Sequence, residues 1–254
     1  MSTTLTPAAV PVTGAMARRT GPSFPSLTGL EIRKSLSTRS GKTVAGLAVA
    51  IGPVGVLIAT LTSGGGAVPA AVAIGIMGMM VALVLLALGV LSTAGEWTHK
   101  SVETTYLLVP QRERVMAAKA AAMGLLGLVL AGLGVGLAVG AMAAFTPGVV
   151  WFAATQAVIA VVAAGAAFAV IGAGIGAAVG NSAAAMTGTY LTFLGILPLV
   201  STVQPGFAEK VDPAAAIQEL AQHGASATPI AVIAGWAIVS TIAGLLITRR
   251  RSVA

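Results

Sequence analysis

Six long stretches of this chain are almost wholly apolar, and polar residues gather in the short intervals between them. The stretches cover about 43–62, 70–94, 119–145, 149–179, 185–204 and 229–248, and a helix crosses a bilayer in roughly 20 such residues. Backbone amides find no partner in hydrocarbon, so a crossing segment must be a helix or a barrel strand. Apolarity here is continuous rather than alternating, which selects helices. The fourth stretch is long enough to tilt or to extend past the hydrocarbon. Turn chemistry punctuates the runs at Ser63-Gly64-Gly65-Gly66, Pro147-Gly148, Gly180-Asn181-Ser182 and Pro205-Gly206. The expected fold is an all-α integral membrane protein of six transmembrane helices.

The intervals differ in character. Residues 1–26 are rich in Pro, Ser and Thr and read as a flexible tail. Residues 27–42 set apolar side chains at helical spacing against basic ones, the pattern of an amphipathic helix lying on the inner membrane surface. The interval 95–119 is the most charged of all, and is expected to form a loop. In the segment 205–228, Asp212-Pro213 has the form of a helix start, with Asp212 as cap and Pro213 at the first helical position, carrying Ile217 and Leu220. Arg18, Arg19, Arg33, Lys34, Arg39 and Lys42 precede the first apolar run, which argues against a cleavable signal peptide.

Composition sharpens this picture. Hydrophobic residues make up 57% of the 254 and charged residues 8%, more apolar surface than a soluble domain can cover. The net charge of +7 raises the question of nucleic acid, but position answers it. With six spans and both termini cytoplasmic, all fourteen Lys and Arg residues except Lys210 fall on the inner side, including the basic tail 249–254. The bilayer explains the charge, and no nucleic-acid partner is needed. The Ala, Gly and Val bias with few lysines points to a high-GC bacterium, and so to a bacterial cell membrane.

Candidate chemistry is sparse. Without cysteine, disulfides, thiolate metal sites and a Cys nucleophile are excluded. Gly41-Lys42-Thr43 has the ending of a phosphate-binding loop, but Leu36 stands where the pattern needs glycine and no strand precedes it. Glu96, His99 and Glu103 fall at helical spacings of three and four, yet mixed charges at a membrane interface account for them as well as a metal would. Glycines four apart, Gly132, Gly136 and Gly140, then Gly172, Gly176 and Gly180, mark faces for close helix packing. The spans hold almost no ionisable group, which weighs against an ion-coupled pump. Thr155, Gln156, Thr187, Thr189, Tyr190, Thr192 and Gln204 are the polar candidates for interhelical bonds or a pathway lining.

One interval carries a recognisable pattern. Gly95-Glu96-Trp97-Thr98-His99-Lys100-Ser101-Val102-Glu103-Thr104-Thr105-Tyr106-Leu107-Leu108-Val109-Pro110-Gln111-Arg112, closing on Ala118-Lys119, resembles the cytoplasmic loop of ABC-2 type permeases. That family has an acidic residue after the second span, a small-hydroxyl turn, a Thr-Leu-Leu-like run, then Pro-x-Arg and Ala-Lys. Leu30-Glu31-Ile32-Arg33-Lys34-Ser35-Leu36 looks like the same family's surface helix before the first span. Lys100 departs from the glycine usual there and implies a stiffer turn.

The resemblance implies a permease that binds no cofactor itself and works with a separate ATPase chain, which holds ATP and Mg. It implies a homodimer, or a pair with a related permease, exporting a hydrophobic or amphipathic compound such as a drug, peptide antibiotic or lipid. Glu96, His99, Ser101, Glu103 and Thr105 would belong to the coupling region that contacts the ATPase, with Asn181 and Ser182 a second contact. Arg33, Lys34, Arg39, Pro110, Arg112, Arg114 and Lys119 would anchor it at the inner surface. None is catalytic. Rival readings are a non-transporting immunity or assembly protein and an ion-coupled carrier.

Overall fold

The computed structural model describes residues 22–62, 68–99, 101 and 111–251. Nine helices lie among them: α1 (Phe24–Ser37), α2 (Arg39–Thr62), α3 (Ala70–Thr98), α4 (Arg112–Phe145), α5 (Ala154–Val179), α6 (Ser182–Val203), α7 (Pro205–Ala208), α8 (Pro213–His223) and α9 (Ala227–Arg250). Six of them, α2 to α6 and α9, are long and apolar enough to cross a membrane. The protein is an all-α, multi-pass membrane protein. Both α1 and the end of α9 lie at one end of the bundle, together with every described Lys and Arg except Lys210.

The helices overrun the apolar stretches at that basic end, and local chemistry sets the boundaries. The surface helix stops at Ser37, not at residue 42, because Thr38 is extended (ψ 150°). Its hydroxyl then accepts from the Gly41 amide at 3.0 Å and so caps α2. α3 continues to Thr98 and α4 already begins at Arg112, so the expected loop 95–119 is mostly helix at its two ends. Charges limit the depth of a span in lipid without ending the helix itself. At the opposite end α5 starts at Ala154 rather than near 149. Val149–Val150 pairs instead with Val68–Pro69 as a two-residue parallel ladder, β2 on β1, and Ala153 takes a left-handed φ of 60°.

α3 and α5 form the centre. About 61% of the most apolar part of α3 is buried within the protein, against 22% for α2, α6 and α9, which are peripheral. Leu85 and Leu86 of α3 and Phe168 and Ile171 of α5 are wholly buried. The two helices meet backbone to backbone. A Cβ on Gly172 would collide with the Leu86 carbonyl oxygen, and one on Gly89 with the Ala169 carbonyl oxygen. The expectation of close packing therefore holds for Gly172, and for Gly176 against Val90. Gly132, Gly136 and Gly140 face open space on the outer side of α4.

α6 is irregular. Its middle, Leu191–Ile196, is a π-helix immediately before Pro198. Proline lacks an N–H and its ring crowds the carbonyl four residues back, so the helix widens there. Beyond α6 the chain folds over the end opposite the basic one. Asp212 caps α8 as its sequence suggests, accepting from the Ala214 and Ala215 amides at 2.8 and 3.3 Å. Ile217 is fully buried, and α8 packs on α3, α5 and α9. Trp236 of α9 donates its indole N–H to the Val211 carbonyl at 2.8 Å and fastens this cover.

The crossing of α3 and α5 predicts that Gly172→Ala lowers the thermal midpoint in mild detergent, by the ~1–3 kcal/mol typical of overpacking. Gly136→Ala, on the open face of α4, should leave it unchanged or slightly raised. A midpoint that ignores Gly172→Ala would remove this contact as the organising one.

Candidate functional site

The basic end is held by charge. On α1, Leu27, Thr28, Glu31 and Ser35 form one buried face, which packs against α4. The carboxylate of Glu31, 6% exposed, ion-pairs with Lys119 of α4, itself only 2% exposed. Lys119 also reaches Glu96 Oε1 near the end of α3 at 2.8 Å, and the Ser92 carbonyl at 3.4 Å. Lys34 closes the ring, pairing with Glu96 and with Glu31 at 3.4 Å. Two carboxylates and two ammonium groups thus neutralise one another, three of them buried and Lys34 at the rim with its side chain 38% exposed. Burying an unpaired ion would cost several kcal/mol, so each member holds the others in place.

Arginines complete the clamp. Arg112, at the start of α4, donates to the Thr248 and Arg251 carbonyls, both at 2.7 Å, at the end of α9. Arg251 in turn donates to the Ala177, Ala178 and Val179 carbonyls at 3.3, 2.7 and 2.9 Å, closing the end of α5. Its guanidinium also lies 4.9 Å from the centroid of the Trp97 ring, on α3. The last carbonyls of a helix carry partial negative charge, and a cation there is favourable. Gly180, at φ 68°, lets α5 end tightly enough for Arg251 to reach it; a Cβ there would strike the guanidinium. Arg249 and Glu113 add an exposed pair at 2.5 Å.

Two grooves lie at the basic end. One, of about 350 Å³, is lined by Lys34, Thr38, Glu96, His99, Ser101 and Ser182 among others. The second, of about 800 Å³, lies between the starts of α1 and α4 and the end of α9, with Phe24, Arg112, Arg114 and Arg249 in its wall. The first groove gathers Glu96, His99 and Ser101, expected in one region, with Ser182, expected as part of a second and separate contact. Asn181 caps α6, accepting from the Ala184 amide at 2.9 Å, and the Ser182 amide donates to the Thr98 hydroxyl at 3.2 Å. Glu103, Thr105 and Pro110 lie outside the described residues.

Two placements correct the sequence expectation. Glu96, a candidate contact, spends its carboxylate on Lys119 and Lys34 inside the protein. Lys119, a candidate surface anchor, is interior. Of the other described anchor positions, Arg33 and Arg39 are exposed and Lys34, Arg112 and Arg114 are half-buried. Among the described residues, no group of three or more His, Asp and Glu is placed to hold a metal ion.

The polar pathway candidates do not converge. Thr155 is exposed and Gln156 donates to the Gln222 carbonyl at 3.2 Å, both at the end opposite the basic one; Gln204 is exposed beyond α6. Thr187 faces outward. Tyr190 donates to the Leu83 carbonyl at 2.9 Å, and Thr192 bonds back to the Gly188 carbonyl at 2.8 Å. Of these candidates Thr189 is the one buried without a hydrogen-bond partner, as Thr93 and Thr248 are elsewhere in the bundle. Glu31, Trp97 and Arg251 are the residues that sequence reasoning passed over. Glu31 had a signal: it stands four residues from both Leu27 and Ser35, on the face a helix would bury, and an acid there needs a cation.

No protein-family model matches the chain, and no curated protein matches it. What the fold and the basic end define is a class: a multi-pass α-helical membrane protein with a charge-locked helix preceding its first span.

Lys119→Met should be the most disruptive single change at this end, leaving Glu31 and Glu96 with Lys34 alone. A loss of about 3–5 kcal/mol is expected, read as a fall in thermal midpoint and in yield of folded protein. Adding Glu31→Gln and Glu96→Gln to it should recover most of that loss. No recovery in the triple variant would mean that packing, not charge balance, holds the cluster.

Proposed function

We propose that this chain is the membrane-spanning permease subunit of an ATP-driven transporter of the ABC-2 type, exporting a hydrophobic or amphipathic compound. Its basic end is cytoplasmic in this reading, consistent with the positive-inside tendency of membrane proteins. A separate ATPase chain holds ATP and Mg, and two permeases, identical or related, form the membrane unit in a bacterial cell membrane.

One observation carries the reading. The helices entering and leaving the segment between α3 and α4 are bound to each other and to α1 by the Glu31–Lys119–Glu96–Lys34 cluster. A push on that segment from the cytoplasm is then delivered to three helices at once. This is what a coupling element requires: a partner acts on a rigid corner of the bundle, and its nucleotide state biases the membrane domain by binding one conformation better than another. The hydroxyl-lined groove beside the corner, with His99, Ser101 and Ser182 in its wall, offers the partner a seat.

The reading is tested by purifying the tagged protein from native membranes in mild detergent and identifying its stoichiometric partners by mass spectrometry. The expected result is a soluble subunit containing a phosphate-binding loop. Recovery alone, or with a partner that is no ATPase, would overturn this reading in favour of the immunity or assembly protein or the ion-coupled carrier.

A further inference from the structure

The larger groove of the basic end, about 800 Å³, is walled by Phe24 of α1, by Arg112, Glu113, Arg114 and Ala117 of α4, and by Arg249 of α9. Three arginines share it with one carboxylate. Arg112 is committed to the carbonyls at the end of α9, and so sets the spacing of the two walls. Arg249 pairs with Glu113 at 2.5 Å. The side chain of Arg114, half-buried, has no hydrogen bond or ion pair among the described residues. A guanidinium set partly into the protein in this way has lost some of its hydration and gained no counter-charge. The groove therefore carries uncompensated positive charge. The start of α4, where Gln111 provides no side-chain cap, adds to it.

Toward the bilayer the same helix faces turn apolar. On α4, Ala117, Ala121, Leu125 and Leu128 follow Arg114 at helical spacing; on α9, Leu246, Ile242 and Ile238 precede Arg249 in the same way. The leucines and isoleucines of both strips are exposed on the outside of the bundle, where lipid lies, and Phe24 adds an exposed ring beside the arginines. We propose that this groove seats the phosphate of an anionic phospholipid from the adjacent leaflet, its acyl chains laid along the exposed faces of α4 and α9. Arg114 donates charge-assisted hydrogen bonds to the phosphate, and Arg249 exchanges Glu113 for it. Two chemistries side by side decide the occupant. A soluble phosphate or an acidic protein surface would use the arginines and not the apolar strips. A zwitterionic lipid would bring its own cation against the arginines. An anionic lipid uses both, and basic recesses between spanning helices suit such headgroups. The site rests on the membrane fold and not on an ATPase partner, so it stands or fails apart from the transporter reading.

The purified full chain, in mild detergent and without any ATPase, is titrated with phosphatidylglycerol and with phosphatidylcholine of the same acyl chains. Bound lipid is counted by native mass spectrometry. One saturable phosphatidylglycerol per chain is expected, held roughly ten-fold more tightly than phosphatidylcholine, the worth of a hydrogen bond to a charged group. Arg114→Gln should remove most of that preference. Glu113→Gln, which frees Arg249, should raise it by about two- to five-fold, the worth of an exposed ion pair. Arg33→Gln with Arg39→Gln removes two exposed charges of the same end that lie outside the groove, and should leave the preference unchanged. An equal loss in that control and in Arg114→Gln would reduce the effect to general surface charge and overturn the site. Equal affinity for the two lipids, or a preference that survives Arg114→Gln or fails to rise in Glu113→Gln, would overturn it too. Displacement of the lipid by glycerophosphoglycerol at matching concentration would overturn the lipid and assign a soluble phosphate instead. The thermal midpoint confirms that each variant is folded, and Glu113→Gln tests the site by a gain where Arg114→Gln tests it by a loss.

Discussion

The contact between the backbones of α3 and α5 is the constraint on which the bundle depends. Helices in lipid gain nothing from hiding apolar surface from one another, since the solvent is equally apolar; they associate through close packing and hydrogen bonds. Glycine at 89 and 172 brings the two central helices together until the carbonyls of one meet the Cα atoms of the other. The same device recurs where α5 meets α9: a Cβ on Gly174 would lie 2.6 Å from the Ser240 carbonyl oxygen, and one on Gly244 2.7 Å from that of Gly174. A chain poor in aromatics and rich in Ala, Gly and Val follows from that demand.

Close packing fixes the helices laterally but does little for their ends, where carbonyls and charges meet water or headgroups. There the basic residues act as fasteners. Arg112 and Arg251 close two helix ends with five carbonyl bonds between them, and Lys119 draws α1, α3 and α4 to one point. The positive charge of this end is therefore structural as well as topological. Arg33 and Arg39 remain exposed, while Lys119, Lys34, Arg112 and Arg251 are engaged within the protein.

The sequence makes the spans and the Asp212 cap legible because both are local: an apolar run and a capping residue each act over a few neighbours. Boundaries were less legible. Continuous helix from Arg112 into α4 looks, by charge alone, like loop. The long-range pairings could not be read at all. Lys119 lies 23 positions from Glu96 in sequence and further still from Glu31, and only the folded bundle unites them. A residue such as Glu96 thus reads as surface chemistry by its neighbours, and proves interior by its partners. The glycine faces divide in the same way. Spacing marks Gly132, Gly136, Gly172 and Gly176 alike, yet spacing does not say which face meets a neighbour.

The distribution of contacts also says where this bundle yields. Sliding α3 against α5 would part backbone contacts along much of both helices, and interlocked surfaces of that kind move in discrete steps or not at all. α6 is held differently. Its buried positions are Ala185, Thr189, Phe193 and Leu197, a single narrow stripe, and its bonds to the rest include Tyr190 to Leu83 and Ser182 to Thr98. In its middle the π turn has already relaxed the regular ladder ahead of Pro198. An element with few buried contacts and a weakened backbone sits at the low end of the local stability scale. The motion that costs the bundle least is therefore a displacement of α6 rather than of α3 or α5.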